Sequence, residues 1–371
     1  MVTYLVQERG GAVTPGDTLS VTARLGNALV SYVRYVEMSF WPTDLCVIYL
    51  HPGQWPVGTV AAAALALAIV SVLTLWRRQS LPYLAVGWFW FLGTLVPAIG
   101  LVQVGRQALA DRYTYIPSIG FWLAVVWGAG KLTEKWRNRE TLAWAAGSTA
   151  IIVCMVLTVR QIGYWKNTEA LYAHARNATP RNWVATACLA AELQSEGKAD
   201  EAVAMYLEAL QFNPHRTEVR CKLGDLLFER QRINEALAQF QKAVELDPGD
   251  VYAHARLGDI CQNMGNLDEA INQFNEAIRL KPDYANGYSN LGNCYGMKGR
   301  TDDAIACFEQ AVKLKPLSAQ NHRELGIGLA NKGRLDEAID QFQQALHLDP
   351  TDAQARGNLS EAIQDKAKLA K

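Results

Sequence analysis

Asp111, Arg112 and Tyr113, with Tyr115 just beyond, stand where a polar stretch gives way to an apolar one. These residue types suit a charged ligand at a membrane boundary. A guanidinium grips phosphate through two parallel hydrogen bonds, which an ammonium group cannot do. Asp111 would orient Arg112, and the tyrosines would line a sugar or a lipid chain. Gln103 and Gln107 lie one helical turn apart and offer amide groups to the same headgroup. A plainer account fits the same residues. Tyrosines collect at membrane interfaces, an arginine extends to lipid headgroups, and glutamines sit well in a solvated loop. The residues leave both accounts open.

The elements around this stretch are apolar spans. Residues 56–76 carry no charge and are long enough to cross a bilayer, and Arg77 and Arg78 end the run. Residues 81–101 are a second apolar span, interrupted by Pro97. Residues 116–130 and 142–159 are a third and a fourth, with Lys131, Lys135, Arg137 and Arg139 between them. Ahead of these spans, Val21 to Phe40 is amphipathic and reads as a helix on the membrane surface. A proline-broken loop, 41–52, follows it. Cytoplasmic loops are rich in Lys and Arg, so the distribution puts Arg77, Arg78 and the 131–139 loop inside. The 103–113 loop and everything after the fourth span then lie outside the cytoplasm. Reversed orientation is the alternative.

The second half is organised by prolines. Pro180, Pro214, Pro248, Pro282, Pro316 and Pro350 follow one another at intervals of 34 residues. Inside each interval the same types recur at the same offsets, for example Leu257, Gly258, Ala270, Phe274 and Ala277 before Pro282. The first interval is weaker, with Ala190 in place of the glycine and Tyr206 in place of the phenylalanine. Small residues let two helices approach, the aromatic fills the space between pairs, and the proline ends the second helix. Such a period is the signature of tetratricopeptide (TPR) repeats, whose units bury their apolar faces only by stacking. The fold class expected is therefore all-α: about four transmembrane helices, then a TPR α-solenoid. Its parts are an interfacial segment (1–55), a transmembrane domain (56–160), a half-repeat (165–180), five repeats (181–350) and a capping helix (351–371).

First helices of TPR units line the groove. They bring forward Cys221, Asp225, Tyr252, Asp259, Asn286, Asn290, Asn293, Gln320 and Arg323. The set mixes amides with charges of both signs and suits an extended peptide held through Asn and Tyr contacts. A merely solvated groove is the plainer account. Lys+Arg and Asp+Glu both number 36, so net charge is zero and nothing points to nucleic acid. Seven cysteines include no Cys-x-x-Cys pair. Six histidines show no ligand spacing, and His254 and His322 fall at a packing position of the repeat. No metal site and no cofactor motif is expected.

One combination is more specific. It is Arg24-x-x-Asn27-Ala28-Leu29-x-x-Tyr32, Trp41-Pro42, Gln103, Gln107 and Ala110-Asp111-Arg112-Tyr113-Thr114-Tyr115-Ile116-Pro117, then membrane helices and TPR units. It resembles the transmembrane-and-TPR protein O-mannosyltransferases and their bacterial relatives. The resemblance implies a multi-spanning GT-C-type glycosyltransferase fold, a polyprenyl-phosphate sugar donor and repeats on the extracytoplasmic side. It also implies a catalytic acidic pair in an early loop. No Asp/Glu pair in a loop between membrane helices precedes Arg24 to match it, and Asp17 and Asp44 are isolated. The expectation is thus a C-terminal portion that binds protein partners and carries part of a donor site, with no catalytic residue of its own. The competing class is a membrane-tethered TPR scaffold that assembles protein complexes without catalysis.

Overall fold

The computed structural model describes residues 20–43, 45–50, 54–97, 99 and 107–369. These form two compact units, Met1–Phe212 and Asn213–Lys371. Among the described residues the fold is all-α apart from one two-stranded ribbon.

In the first unit, α1 (Val21–Phe40) starts at Ser20, whose Oγ accepts from the Ala23 N–H at 3.2 Å. Such a cap satisfies one of the unpaired amides of a helix start. Three apolar helices follow: α2 (Val57–Trp76), α3 (Pro82–Leu95) and α4 (Tyr115–Leu132). Gly87 on α3 and Gly120 on α4 allow these two helices to touch. A methyl group added at Gly87 would lie 2.3 Å from the Gly120 carbonyl oxygen. Phe91 and Phe121 then meet in the core with ring centroids 5.5 Å apart. Tyr35, Leu95, Ile99 and Leu109 are fully buried with them.

α5 (Arg139–Tyr164) differs from all of these, for it contains no buried residue. Among the described residues, α2 and α5 are the helices long and apolar enough to cross a membrane. The other two expected spans are helical but fall short of that. α3 has only 14 residues, ending before Pro97, and α4 is diluted by glycine, tyrosine and a terminal lysine. Two residues of the expected 41–52 loop form a strand. β1 (Tyr49–Leu50) pairs antiparallel with β2 (Gln107–Leu109). The unit ends with α6 (Thr168–Ala178), α7 (Trp183–Ser195) and α8 (Ala199–Phe212).

The second unit stacks four helix pairs: α9/α10 (Thr217–Glu229, Ile233–Leu246), α11/α12 (Val251–Asn263, Leu267–Leu280), α13/α14 (Ala285–Met297, Thr301–Leu314) and α15/α16 (Ala319–Asn331, Leu335–Leu348). α17 (Ala353–Leu369) follows. The repeat chemistry works as its spacing suggests. A Cβ at Gly258 would sit 2.7 Å from the Phe274 ring, so glycine there admits the aromatic. Phe274 and its counterparts Phe240 and Phe342 are essentially inaccessible to water. In three of the four pairs the internal turn is closed by a left-handed glycine. Gly265 has φ +77°, and the next amide, Asn266 N–H, donates to the Cys261 carbonyl at 2.8 Å.

Candidate peptide groove and membrane joint

The groove side chains of the second unit are joined across repeats. Asp225, on α9, accepts from Tyr252 Oη at 2.6 Å and from Arg256 Nε at 2.7 Å, both on α11. Arg256 also donates through Nη1 to Asp259 at 3.0 Å, and Asn290 on α13 donates to the same carboxylate at 2.9 Å. Three successive pairs are thus tied by one chain of bonds. Burial pushes the Asp259 carboxyl up, opposed by Arg256. The Tyr252 hydroxyl is also pushed well up, by burial first and then by its bond to Asp225. Half of Tyr252 remains exposed, so it presents its ring while its hydroxyl is held.

Arg256 is the hub that sequence reasoning missed. It lies one turn after Tyr252 and one before Asp259, and that spacing on one helix face was the available signal. A second chain joins later repeats. Gln320 donates to Glu324 at 2.9 Å, and Ser289 on α13 donates to the other oxygen of Glu324. Glu324, also missed, is buried. Arg323 pairs with Asp352 at 2.8 Å, and Lys315 donates to Asn286 at 3.0 Å. Asn293 is half-buried and joins neither chain. Cys221 is buried, and burial pushes its thiol up to about 12, so it is no nucleophile at neutral pH. Thr217, Glu218, Lys222, Asp225, Asp250 and Tyr252 surround a pocket of about 390 Å³ beside it.

Of the lipid-phosphate candidates, Gln103 lies outside the described residues. Gln107 begins β2, and Asp111, Arg112 and Tyr113 form a single 3-10 turn (Asp111–Thr114) leading into α4. The side chains of Gln107, Asp111 and Arg112 also lie outside the description. Tyr113 and Tyr115 are exposed. The backbone entering the turn is gripped by a residue not anticipated as part of the site. Tyr35 Oη on α1 donates to the Ala110 carbonyl at 3.3 Å and accepts from the Ala110 N–H at 3.0 Å.

The ribbon links this turn to the first repeat helices. Tyr49 on β1 is the partner of Leu109 on β2. The loop before β1 is bonded to three helices. Gln161 on α5 donates to the Leu45 carbonyl at 2.9 Å, and His174 Nε2 on α6 meets the same oxygen at 3.0 Å. Asn182, wholly buried at the start of α7, donates to the Ile48 carbonyl at 3.2 Å and accepts from the Ala185 N–H at 3.0 Å. Cys46 Sγ contacts Thr179 Oγ1 at 3.4 Å. Between α1, α2, α3 and α4 lies an apolar cavity of about 370 Å³, walled by Val36, Phe40, Leu67, Trp88 and Phe121 among others. Among the described residues no group of three or more His, Cys, Asp or Glu is placed to hold a metal ion.

Comparison with known proteins fits the repeat half best. A TPR repeat family matches residues 224–265 and 258–299, and a tetratricopeptide repeat family matches 291–353. Protein O-mannosyl-transferase TMTC1 of Homo sapiens is 28% identical over 196 residues, covering 47% of this chain and 21% of that protein. TMTC2 of Mus musculus is 34% identical over 109 residues, covering 29% of this chain and 13% of that protein. The chain thus spans about a fifth or less of the length of these relatives. Among solved structures, a MamA protein is 27% identical with a TM-score of 0.42, covering 46% of this chain and 93% of its own. PilF of Pseudomonas aeruginosa is 21% identical with a TM-score of 0.47, covering 54% and 93%. On its repeats and these relatives, the chain is a TMTC-like tetratricopeptide-repeat protein.

Proposed function

We propose that this chain is the protein-binding and donor-side portion of a membrane glycosyltransferase that modifies polypeptides. The TPR groove holds an extended segment of the acceptor through Tyr252, Asn286, Asn290, Asn293 and Gln320. The 107–115 segment contributes Arg112 to a site for a polyprenyl-phosphate sugar. Asp111, Tyr113, Gln103 and Gln107 complete that site. The apolar helices cross the membrane several times and the repeats lie on its extracytoplasmic side. Catalytic carboxylates come from elsewhere in the functional enzyme.

What carries this reading is the joint. Within the first unit, a ribbon whose one strand leads into Asp111 and whose other strand follows a loop bonded to α6 and the start of α7 ties the helices that open the repeat array to the membrane-boundary segment. A tether for a scaffold needs no such coupling, whereas a transferase must hold two substrates in register. The relatives' name as protein O-mannosyl-transferases supports the same class.

The test is donor-lipid binding by the chain in nanodiscs, titrated with polyprenyl-phosphate mannose. Binding should saturate, and Arg112→Ala should weaken it by about tenfold or more, the worth of a charge-assisted bidentate contact. Peptide binding to the repeats should persist in that variant. Peptide binding without any donor-lipid binding would overturn the transferase reading in favour of a membrane-tethered scaffold. Protease access to the repeats in sealed vesicles of known orientation checks their side of the membrane.

A further inference from the structure

Repeat positions 220, 254, 288, 322 and 356 correspond at intervals of 34 residues. At two of them an arginine reaches back to the carbonyl of the proline six residues earlier. Arg220 Nη2 donates to the Pro214 carbonyl at 2.8 Å and Arg356 Nη2 to that of Pro350 at 2.7 Å. Arg220 also donates through Nη1 to Gln239 Oε1 at 3.2 Å. Histidines take the same place and the same partners in two other units. His254 meets the Pro248 carbonyl at 3.2 Å through Nε2 and Gln273 Oε1 at 2.7 Å through Nδ1. His322 meets Pro316 at 3.0 Å and Gln341 at 2.7 Å in the same way. Both rings are buried, as packing residues should be, yet they occupy positions built for a permanent double donor.

What separates the two histidines is the group behind the glutamine. Gln273 Nε2 donates to Glu269 Oε1 at 2.6 Å. In the neighbouring pairs an arginine engages the acidic side chain at this position: Arg232 holds Glu235, Arg300 holds Asp303 and Arg334 holds Glu337. The corresponding residue before Glu269 is Asn266, which caps α12 through its oxygen. Glu269 is therefore left for Gln273.

Proton counting then fixes the state of the chain. A neutral ring that donates from Nε2 to Pro248 has a bare Nδ1, which would face the Gln273 oxygen, another acceptor. Turning the amide over puts its nitrogen on Nδ1 but points its oxygen at the Glu269 carboxylate, again acceptor to acceptor. One added proton, on the ring or on the carboxylate, removes the conflict in either orientation. Nearby charges are engaged elsewhere. Lys242 and Glu245 on α10 pair with each other, Asp268 on α12 pairs with Lys298, and Glu276 pairs with Arg279. On α11, Asp250 caps the helix, and Arg256 and Asp259 belong to the groove chain. α13 carries no charged residue.

We propose that His254, Gln273 and Glu269 form a proton-dependent clasp between α11 and α12, closed when the triad holds one extra proton and loosened when that proton leaves. The clasp seats the helix that carries Tyr252, Arg256 and Asp259, so it sets the firmness of one groove wall.

Amide hydrogen exchange of the full chain in detergent micelles tests this, corrected for the intrinsic effect of pH. The measure is protection of 251–280 relative to 217–246, the pair clamped by Arg220. It should fall by roughly tenfold between about pH 5.5 and about pH 8, the span over which imidazole loses its proton. The ratio for 319–348, with His322 but with the carboxylate behind Gln341, Glu337, held by Arg334, should stay flat. In Glu269→Gln, amides alone supply every donor, so the ratio for 251–280 should be high and flat. His254→Arg should behave likewise, as Arg220 does. A flat ratio in the unmodified chain overturns the clasp. So does an unchanged pH slope in Glu269→Gln, or an equal fall at 319–348.

Discussion

α5 and α12 are both helices of a TPR-bearing chain, and they find their partners in opposite ways. α12 buries Ala270, Phe274 and Ala277 against its neighbours and leaves its other side to water. α5 buries nothing and exposes Ile151, Ile152, Val156 and Val159 alike. A helix that is apolar all round has no water-facing side to offer, so its partner is hydrocarbon or another apolar protein surface. The comparison shows where stability is internal to the chain and where it is supplied by the surroundings. The repeats carry their own core, while α5 depends on what encloses it.

The largest expected effect sharpens that contrast. Phe274→Ala empties a site closed by Gly258 and should cost about 3–5 kcal/mol, enough to unravel the α11/α12 pair. Ile152→Ala on α5 removes a comparable apolar side chain and should leave the unfolding of the repeats unchanged. Denaturant unfolding in detergent, followed by helical circular dichroism, separates the two. A large loss from Ile152→Ala would mean that α5 packs against protein and would end the comparison.

The repeat half was legible because each of its residues answers a local demand. Gly258, Phe274 and Pro282 recur with their counterparts, so period and chemistry agree in every unit after the first, where Ala190 and Tyr206 stand in. The apolar half was legible only in part. Hydropathy finds apolar runs, but the 14 residues of α3 and the glycine-rich α4 do not declare whether they cross. The ribbon was hidden, since two- and three-residue strands leave no alternation to read. In the groove, Tyr252 and Asp259 could be picked by position, but Arg256 could not be ranked above other arginines without its two carboxylates in view. Tyr35 shows the same limit. Its 75-residue reach to Ala110 is a tertiary contact with no local signature.

The next effect is set by that arginine. Arg256→Ala would leave Asp225 and Asp259 close together without their shared cation, and Asp259 is already raised by burial. Removing one partner of a partly buried charge network costs more than the pair itself contributes. The loss expected is about 2–3 kcal/mol of repeat stability, with weaker peptide binding. Adding Asp259→Asn should recover part of it, because one of the two stranded charges disappears. A double variant as unstable as the single one would show that Arg256 acts through its stacking on Phe228 and Phe240 and not through charge.

The smallest effect comes from a place where one repeat departs from the others. The turns at Gly197, Gly265, Gly299 and Gly333 all use φ between +74° and +80°. The corresponding residue between α9 and α10 is Gln231, held at φ +59°. A residue with a Cβ is strained there, and the strain is maintained by the bond from the next amide, Arg232 N–H, to the Leu227 carbonyl at 2.9 Å. Gln231→Gly should relieve the strain, offset in part by the greater freedom of glycine in the unfolded chain. A net gain of about 0.5–1 kcal/mol is expected. The same change cannot be made at Gly265, which is already optimal, and Gly265→Gln should cost about as much as Gln231→Gly gains. Opposite signs from the two substitutions would establish that the turn's handedness, and not the identity of the pair, sets this contribution.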